Sequence, residues 1–444
     1  MTPTEALRSS AEALLELARR SGADEAQVTA AWSREIKVGF ERNELSLSSS
    51  GEESSLRLRV HHGHRLGSAS TNSIAHVDLV RAVEAAMAVA ALSPPDEYLN
   101  MPAPERLEAR PLTWDDAVDA LHSADLRALA EEYLRVLRGD PRISIDSGNV
   151  SSDAGHAILL NSHGVDVSES WTKLSWLGSG QGIDGDDITN FDYGGGMSWQ
   201  LAGARERMLA DGARMATQLA STFGAAPGES YKGAVLLTPK SLEELLLDAI
   251  EFHLSGLQVF YGKSVFTDDR LGTAVANPRF TLVDDPSDAG LSGCTAWDSE
   301  GVPTSRRTFI DSGRLCLQME NAYSARRRGR PRTGHCGFGL HGAKVSPGDG
   351  VLAEMLRPSH PLLAVHRFSG NVDAASGDFS GVAKGSHLYL PGGERRPVSE
   401  TMISGNVFEL LESIVSMSRE VEVVENGYSA PWILVDGVSV TAEE

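Results

Sequence analysis

The first amphipathic pattern along the chain predicts an N-terminal helix. Leu7, Ala11, Leu14 and Ala18 recur at the three- and four-residue spacing that places side chains on one helical face, and Gly22 ends the run. Apolar and polar residues alternate after this point, which is typical of half-buried strands. The alternation predicts strands over 27–33, 35–40 and 45–60.

A second series of helices and strands follows the first. Apolar spacing predicts helices over about 76–91, 114–137 and 203–222. Alternating segments predict further strands over 142–148, 156–162, 165–171 and 173–180. The order helix, strands, helix therefore occurs twice, which suggests a duplicated unit of helices and strands.

The second half of the chain has a different pattern. Residues 224–233 (GAAPGESYKG) have the glycine, proline and serine content of a linker. Beyond them one long helix is predicted over 241–257 and a shorter one over about 405–418, while short strands and turns fill the rest. The predicted fold class is α+β, with an N-terminal region of strands flanked by helices and a β-rich C-terminal domain around one central helix. The predicted domains are 1–223, which divides further into about 1–110 and 111–223, and 234–444.

The charge balance narrows the classes of partner. The formal net charge is -21, and a surface that acidic repels phosphate groups, which disfavours nucleic acid and anionic membranes. No apolar run is long enough to span a bilayer, and the N-terminus lacks the basic start and continuous apolar core of a signal peptide. We therefore expect a cytoplasmic protein. The three cysteines, Cys294, Cys316 and Cys336, are too few and too widely spaced for a disulfide framework.

Several segments, taken in order, resemble one known family. They are LRLRVHHGHRLGSAST (56–71), GCTAWDSEGVPTSRRTFIDSGRL (293–315), NAYSARRRGRPRTGH (321–335), ASGDFSG (375–381), ISGNVFELLESI (403–414) and ILVDGVSV (433–440). Their order and spacing are similar to those of the TldD/PmbA family. The resemblance spans most of the chain, and its strongest motifs follow residue 230.

The family combines two kinds of subunit, and the resemblance places this chain with the PmbA-like (TldE-like) kind. TldD-like subunits carry a His-Glu-x-x-x-His motif on a helix, which together with a distant Cys holds a catalytic zinc ion. Alignment on Gly262–Phe266, which resembles the family's Gly-x-Ser-Val-Phe stretch, puts Leu247 and Phe252 at the two His positions and Asp248 at the Glu position. Neither hydrocarbon side chain can coordinate a metal. The segment 425–437 offers no counterpart of the distant Cys.

The resemblance therefore implies a non-catalytic subunit that assists a zinc-bearing homologue. It implies no catalytic residue and no metal in this chain, with zinc in the TldD-like partner. The two subunits would form a hollow complex that admits peptides or small modified peptides. Relatives in natural-product pathways suggest a role in maturation of such products.

Five side chains are candidates for lining a substrate cavity: His253, Arg326, Arg327, Arg328 and His335. His253 lies on the apolar stripe of the predicted helix 241–257, where a lone histidine is more often a hydrogen-bonded core residue. The arginines belong to the run 326–332, whose guanidinium groups suit a peptide carboxylate, an acidic partner surface or nearby acids of the same loop. His335 lies in a glycine-rich loop whose histidine and cysteine spacing matches no common zinc site.

Two alternatives stay open at the level of sequence. In the first alternative, the chain is a stand-alone hydrolase that acts on a small amide or amino-acid-derived substrate and uses groups such as His253, Asp248 or Cys336 without zinc. In the second, it is a binding or scaffold protein that acts as a homodimer. A zinc-motif homologue encoded beside this chain would favour the subunit hypothesis, and its absence would favour the enzyme.

Overall fold

The computed structural model describes residues 3–107, 113–336 and 339–442. Its first half is built on a seven-stranded antiparallel sheet. The strands are β1 (Glu25–Glu41), β2 (Glu44–His62), β3 (Arg65–Thr71), β4 (Ile143–Asn161), β5 (Asp166–Asp184), β6 (Asp187–Ile188) and β7 (Asp192–Ser198). The two strands predicted over 27–33 and 35–40 are one, because β2 and β4 both pair with β1 without interruption through residues 33–35.

Long hairpins set the order of this sheet. β1 and β2 pair from Glu25 opposite His61 to Glu41 opposite Glu44, and β4 and β5 form a second hairpin of similar length. The order is β3-β2-β1-β4-β5, and β6 and β7 both pair with β5. β7 is therefore an edge strand, which matters for the cavity described below.

Five helices pack against the sheet: α1 (Pro3–Arg20), α2 (His76–Leu92), α3 (Asp116–Asp119), α4 (Ser123–Leu137) and α5 (Ala204–Ala220). The apolar faces of α1 and α2 share one core with β1 and β2, and those of α4 and α5 share another with β4 and β5. The helices predicted over 76–91 and 203–222 are confirmed to within two residues. Both predictions rest on apolar residues that recur at helical spacing.

The single helix predicted over 114–137 is wrong, because the chain starts a helix twice there. The Asp115 carboxylate accepts a hydrogen bond from the Ala117 N–H at 2.9 Å and caps the short α3. The Asp125 carboxylate then accepts from the His122 N–H at 2.9 Å and caps α4. Two acidic caps within ten residues therefore divide the amphipathic run.

The second half is built on a fourteen-stranded mixed sheet. Its strands are β8 (Ala226–Pro227), β9 (Tyr231–Leu237), β10 (Leu282–Asp284), β11 (Arg307–Asp311), β12 (Arg314–Leu315), β13 (Ala343–Val345), β14 (Leu362–Val365), β15 (Arg367–Val372), β16 (Asp378–Lys384), β17 (His387–Tyr389), β18 (Arg395–Ser399), β19 (Thr401–Asn406), β20 (Ile414–Val424) and β21 (Tyr428–Ala442). β21 pairs with β9, β13, β19 and β20, so the last strand of the chain organises the whole sheet.

Short helices connect these strands: α6 (Pro239–Leu242), α7 (Asp248–Leu254), α8 (Gly256–Phe260), α9 (Ala322–Arg328), α10 (Leu352–Met355) and α11 (Val407–Glu412), with a π-helical turn over Glu243–Leu247 and a 3-10 turn over Asp268–Arg270. The helix predicted over 405–418 is therefore too long. Ser413 ends it, because its hydroxyl donates to the Asp436 carbonyl of β21 at 2.9 Å and the chain then enters β20.

The α+β fold class predicted from the sequence is confirmed. Over the described ranges, no helix combines the length and the apolar character needed to cross a bilayer. Within the described ranges, Cys294, Cys316 and Cys336 form no disulfide bond.

Candidate functional site

A broken helical segment, residues 239–260, lies against the core of the fourteen-stranded sheet. It comprises α6, the π-helical turn, α7 and α8. Its apolar residues belong to the same buried core as β9 and β21. The Tyr428 hydroxyl fixes its start by donating to the Pro239 carbonyl at 2.6 Å. The helix predicted over 241–257 is thus present, with different boundaries and one break.

Ser255 breaks the segment because the chain pairs there with a neighbouring loop. The Gly256 N–H donates to the Met319 carbonyl at 2.8 Å, and the Met319 N–H donates to the Leu254 carbonyl at 2.7 Å. A Cβ atom on Gly256 would lie 2.3 Å from the Glu320 carboxylate, so the close approach of Glu320 requires glycine at this position. The segment is therefore tied firmly to the loop that carries the arginine run.

The two positions that align with the histidines of the zinc motif carry hydrocarbon side chains, Leu247 and Phe252. Leu247 is 4% exposed and packs in the core. Phe252 is half-buried, and its ring meets the His253 ring edge-on with centroids 5.1 Å apart. Asp248 is exposed to solvent. Leucine and phenylalanine carry no lone pair for zinc, so the residues present do not fit that ion. Across the described residues, no group of three or more His, Cys, Asp and Glu side chains could hold a metal ion.

His253 is a fully buried core histidine. Its Nδ1 accepts a hydrogen bond from the Val265 N–H at 3.0 Å, which places the ring proton on Nε2. The rings of Phe266 and Phe408 pack on the imidazole with centroids 5.8 and 4.9 Å away. Burial lowers the pKa of His253, so the ring is neutral near pH 7. These contacts give His253 a structural role in joining α7 to the segment 264–266.

Four carboxylates mark the polar side of the same segment: Glu243, Glu244, Asp248 and Glu251. Partial desolvation by the surrounding protein raises the pKa of each, including the solvent-exposed Glu243 and Asp248, and the pKa of the more buried Glu251 reaches about 7. The acidic groups therefore lie beside the positions that resemble a zinc motif, but they converge on no shared ligand. The sequence reasoning missed Glu251, although its position three residues after Asp248 places both on one helical face.

Two of the candidate arginines hold parts of this chain together. The guanidinium of Arg327 stacks on the rings of Phe260 and Tyr98, with its Cζ 4.1 and 4.6 Å from the two centroids, and lies 3.5 Å from the Asp96 carboxylate. The side chain of Arg328 is 4% exposed and pairs with Glu320 and Asp268. Of the uses considered for the run 326–332, these two arginines serve nearby acids of the same chain.

Arg326 has a different setting. Its guanidinium donates to the Leu99 carbonyl at 2.8 Å, and it lines a cavity of about 370 Å³ together with Asn100, Glu105, Arg330 and Arg332. His335 is buried elsewhere, where Nε2 lies 3.0 Å from the Asp284 carboxylate and Nδ1 lies 3.0 Å from the Thr333 hydroxyl. Neither of the two described cavities is lined by His253 or His335, so the five candidates do not form one site.

A charged cluster that sequence reasoning missed joins the two sheets. The buried Asp192 carboxylate of β7 lies 2.9 Å from the Lys240 ammonium of α6 and 3.0 Å from Nε2 of His366. Hydrogen bonds and the charges of these two partners hold the pKa of Asp192 well below its usual range, in spite of its burial. The three residues are far apart in sequence, so no local sequence pattern predicts the cluster.

Two profiles of one metallopeptidase family match this chain. Residues 230–442 match the profile described as PmbA/TldA metallopeptidase C-terminal domain. Residues 26–90 match the profile described as PmbA/TldA metallopeptidase domain 1. The two matches include the first hairpin and nearly all of the fourteen-stranded sheet.

Full-length relatives agree with these matches. The chain is 28% identical to Metalloprotease PmbA of Escherichia coli, over 91% of this chain and 89% of that one. It is 27% identical to the Metalloprotease PmbA homolog of Haemophilus influenzae, over 98% of this chain and 96% of that one. The crystal structure of TldE from Thermococcus kodakarensis has the same fold, with a TM-score of 0.84, 22% identity, and coverage of 97% of this chain and 100% of that one. This chain belongs to the PmbA/TldD family.

Proposed function

We propose that this chain is the non-catalytic subunit of a TldD/TldE-type zinc metalloprotease complex that acts on peptides or small modified peptides. One feature of the sequence carries the proposal: Leu247 and Phe252 stand at the positions that, by the resemblance to the family, hold the two motif histidines of a zinc-binding relative. The zinc ion and the catalytic base would belong to a TldD-like partner in the cytoplasm.

The packing of the segment supports this assignment. Leu247 is part of a continuous apolar core, so its position serves stability in this chain. His253 is the one histidine of the segment, and its Nδ1 is already used by the Val265 N–H. By the resemblance, Asp248 stands at the position of the catalytic base, but among the described residues no group of three or more His, Cys, Asp and Glu side chains could hold the metal ion that such a base works with.

Reconstitution with a zinc-bearing homologue tests the proposal. Peptide hydrolysis would be measured for this chain alone, for a TldD-like homologue encoded beside it, and for their mixture. We expect no hydrolysis by this chain, hydrolysis by the mixture, and loss of that activity when a chelator removes zinc. Hydrolysis by this chain alone that survives the chelator would contradict the proposal and favour a stand-alone hydrolase.

A partner variant provides the matched control. Replacing both motif histidines of the homologue with Leu and Phe would reproduce the pair found in this chain at 247 and 252. The mixture should then lose hydrolysis while size-exclusion chromatography still detects the complex. An active mixture would place the catalytic groups in this chain.

A further inference from the structure

The larger of the two described cavities lies between the two sheets. Its volume is about 520 Å³, within the range of small-ligand sites. The seven-stranded sheet contributes β7 and the neighbouring helix α5, and the fourteen-stranded sheet contributes Lys240, His366 and the turn between β20 and β21. Two tryptophans, Trp176 and Trp432, are among its apolar lining residues.

The free edge of β7 faces this cavity. β7 pairs with β5 alone, so alternate residues direct their N–H and C=O groups away from β5. Two of these residues already use an outward backbone group in a hydrogen bond. The Lys240 ammonium donates to the Tyr193 carbonyl, and the Met197 N–H donates to Oδ1 of Asn426 at 2.6 Å. Gly195 lies between them in the same outward set. Within the described part of the chain, its outward N–H and C=O have no hydrogen-bond partner.

Glycines leave room for another backbone at this edge. A Cβ atom added to Gly194 would have no heavy atom within 4 Å, so the space above it is open. A Cβ atom on Gly195 would lie 2.2 Å from the Trp176 carbonyl oxygen, so the packing of β7 on β5 requires glycine there. Strand glycines of this kind allow a close backbone approach, here to the outward N–H and C=O of Gly195.

The opposite wall presents the carboxylate of Glu425, whose ion-pair partner among the described residues is the more distant Lys240. Glu425 and Asn426 form the tight turn between β20 and β21, with φ of 48° and 59°. Asn426 holds the turn in place through Met197 and through the Gly290 carbonyl, to which its Nδ2 donates at 2.6 Å. The Glu425 carboxylate lies 3.8 Å from Lys240, whose ammonium is engaged 2.9 Å from Asp192. Glu425 is therefore placed to receive a second cation.

We propose that this cavity binds a short extended peptide, whose main chain pairs with Gly195 and whose α-ammonium group lies against Glu425. One ligand residue would exchange both backbone hydrogen bonds with Gly195, as strand addition requires. Arg207 of α5, whose guanidinium donates to the Ser198 hydroxyl, lines the cavity as well and provides positive charge for the free carboxylate of such a ligand, whereas the neighbouring Arg214 is paired with Asp211. The choice of a peptide over another cationic amide rests on the proposed function.

Isothermal titration calorimetry on the isolated full chain tests the inference, with free tetra-alanine as the probe. We expect saturable binding of one tetra-alanine per chain. Acetylation of the peptide's amino group should weaken binding by about tenfold or more, as loss of a charged hydrogen bond does. Methylation of its three amide nitrogens should abolish binding. The Glu425→Gln variant should bind free and acetylated tetra-alanine with equal affinity.

Two glycine variants separate blocking of the site from general damage. Gly194→Val fills the open space and should weaken tetra-alanine binding by at least about tenfold. Gly51→Val is the matched control, because Gly51 is also a strand residue whose added Cβ would have no heavy atom within 4 Å, but on the distant strand β2. It should bind like the wild type. Both variants should unfold at the wild-type temperature, since valine suits strands.

Two results would overturn the inference: no tetra-alanine binding by the wild-type chain, or equal binding by the wild-type and Gly194→Val chains. Both are read without partner or zinc. A negative result here therefore leaves the reconstitution assay of the proposed function untouched. Failure of reconstitution would likewise leave a measured peptide affinity standing.

Discussion

Two regions of the segment 239–260 differ in what they contribute to the molecule: the π-helical turn at Leu247 and the short helix α6 at Lys240. At Leu247 the segment presents hydrocarbon to a closed apolar core, and its histidine is buried and neutral. At Lys240 it presents charge to the boundary between the sheets, where Asp192, His366 and an open cavity lie. Leu247, which aligns with a histidine of the zinc motif, therefore stabilises the fold. The charged group that can contact a ligand, Lys240, lies about two helical turns earlier in the segment.

The largest expected effect breaks the charged side of this comparison. Asp192→Ala leaves both Lys240 and His366 without their buried partner, which should lower the free energy of unfolding by about 3–5 kcal/mol. Urea denaturation measures the loss. Asp186→Ala, which removes an exposed carboxylate from the turn between β5 and β6, should stay within about 0.5 kcal/mol of the wild type. Equal losses in the two variants would refute the importance of the cluster.

The next effect concerns the apolar side. Leu247→Ala removes a buried side chain from the core and should lower the free energy of unfolding by about 2–4 kcal/mol. Leu177, a β5 residue that is 43% exposed, provides the control, and Leu177→Ala should cost much less in the same measurement. If Leu247→Ala were as mild as Leu177→Ala, the position would be free for another role.

The acidic face of the segment sets a smaller, pH-dependent effect. Burial raises the pKa of Glu251 to about 7, so the folded state keeps its proton at pH values where the unfolded chain has released it. The contribution of Glu251 to stability must therefore fall as pH rises between about 4.5 and 7. Glu251→Gln should reduce this slope in urea titrations, while the exposed Glu52→Gln should leave it unchanged. Asp298, with a pKa also raised to about 7, keeps part of the slope in both variants.

The smallest effect concerns the arginine run. Arg327→Ala removes the stacking on Phe260 and Tyr98 and should cost about 1 kcal/mol, with faster proteolysis near residues 96–105. Arg326→Ala, at a more exposed position one residue earlier, should change stability by less than about 0.5 kcal/mol. If the two variants lost equal stability, the stacking would have no special value.

Local patterns predicted the elements better than the contacts between them. The helices α2 and α5 were predicted almost to their ends, because their apolar residues recur at helical spacing. The breaks at Ser255 and Ser413 were missed, because each depends on pairing with a distant strand or loop.

The same distinction between local patterns and distant contacts applies to the candidate functional groups. The hydrocarbon at Leu247 and Phe252 could be read directly from the sequence. The cluster of Asp192, Lys240 and His366 could not, because it exists only once the two sheets dock. The same holds for the stacking of Arg327, whose aromatic partners come from two other parts of the chain.

Zinc binding by the isolated chain tests the central claim most directly. Metal analysis after dialysis against zinc should find no stoichiometric zinc in the wild type. The variant carrying Leu247→His, Asp248→Glu and Phe252→His should gain zinc affinity, and a register control with Leu246→His and Glu251→His should not. One tightly held zinc ion per wild-type chain, retained without a partner, would contradict the account.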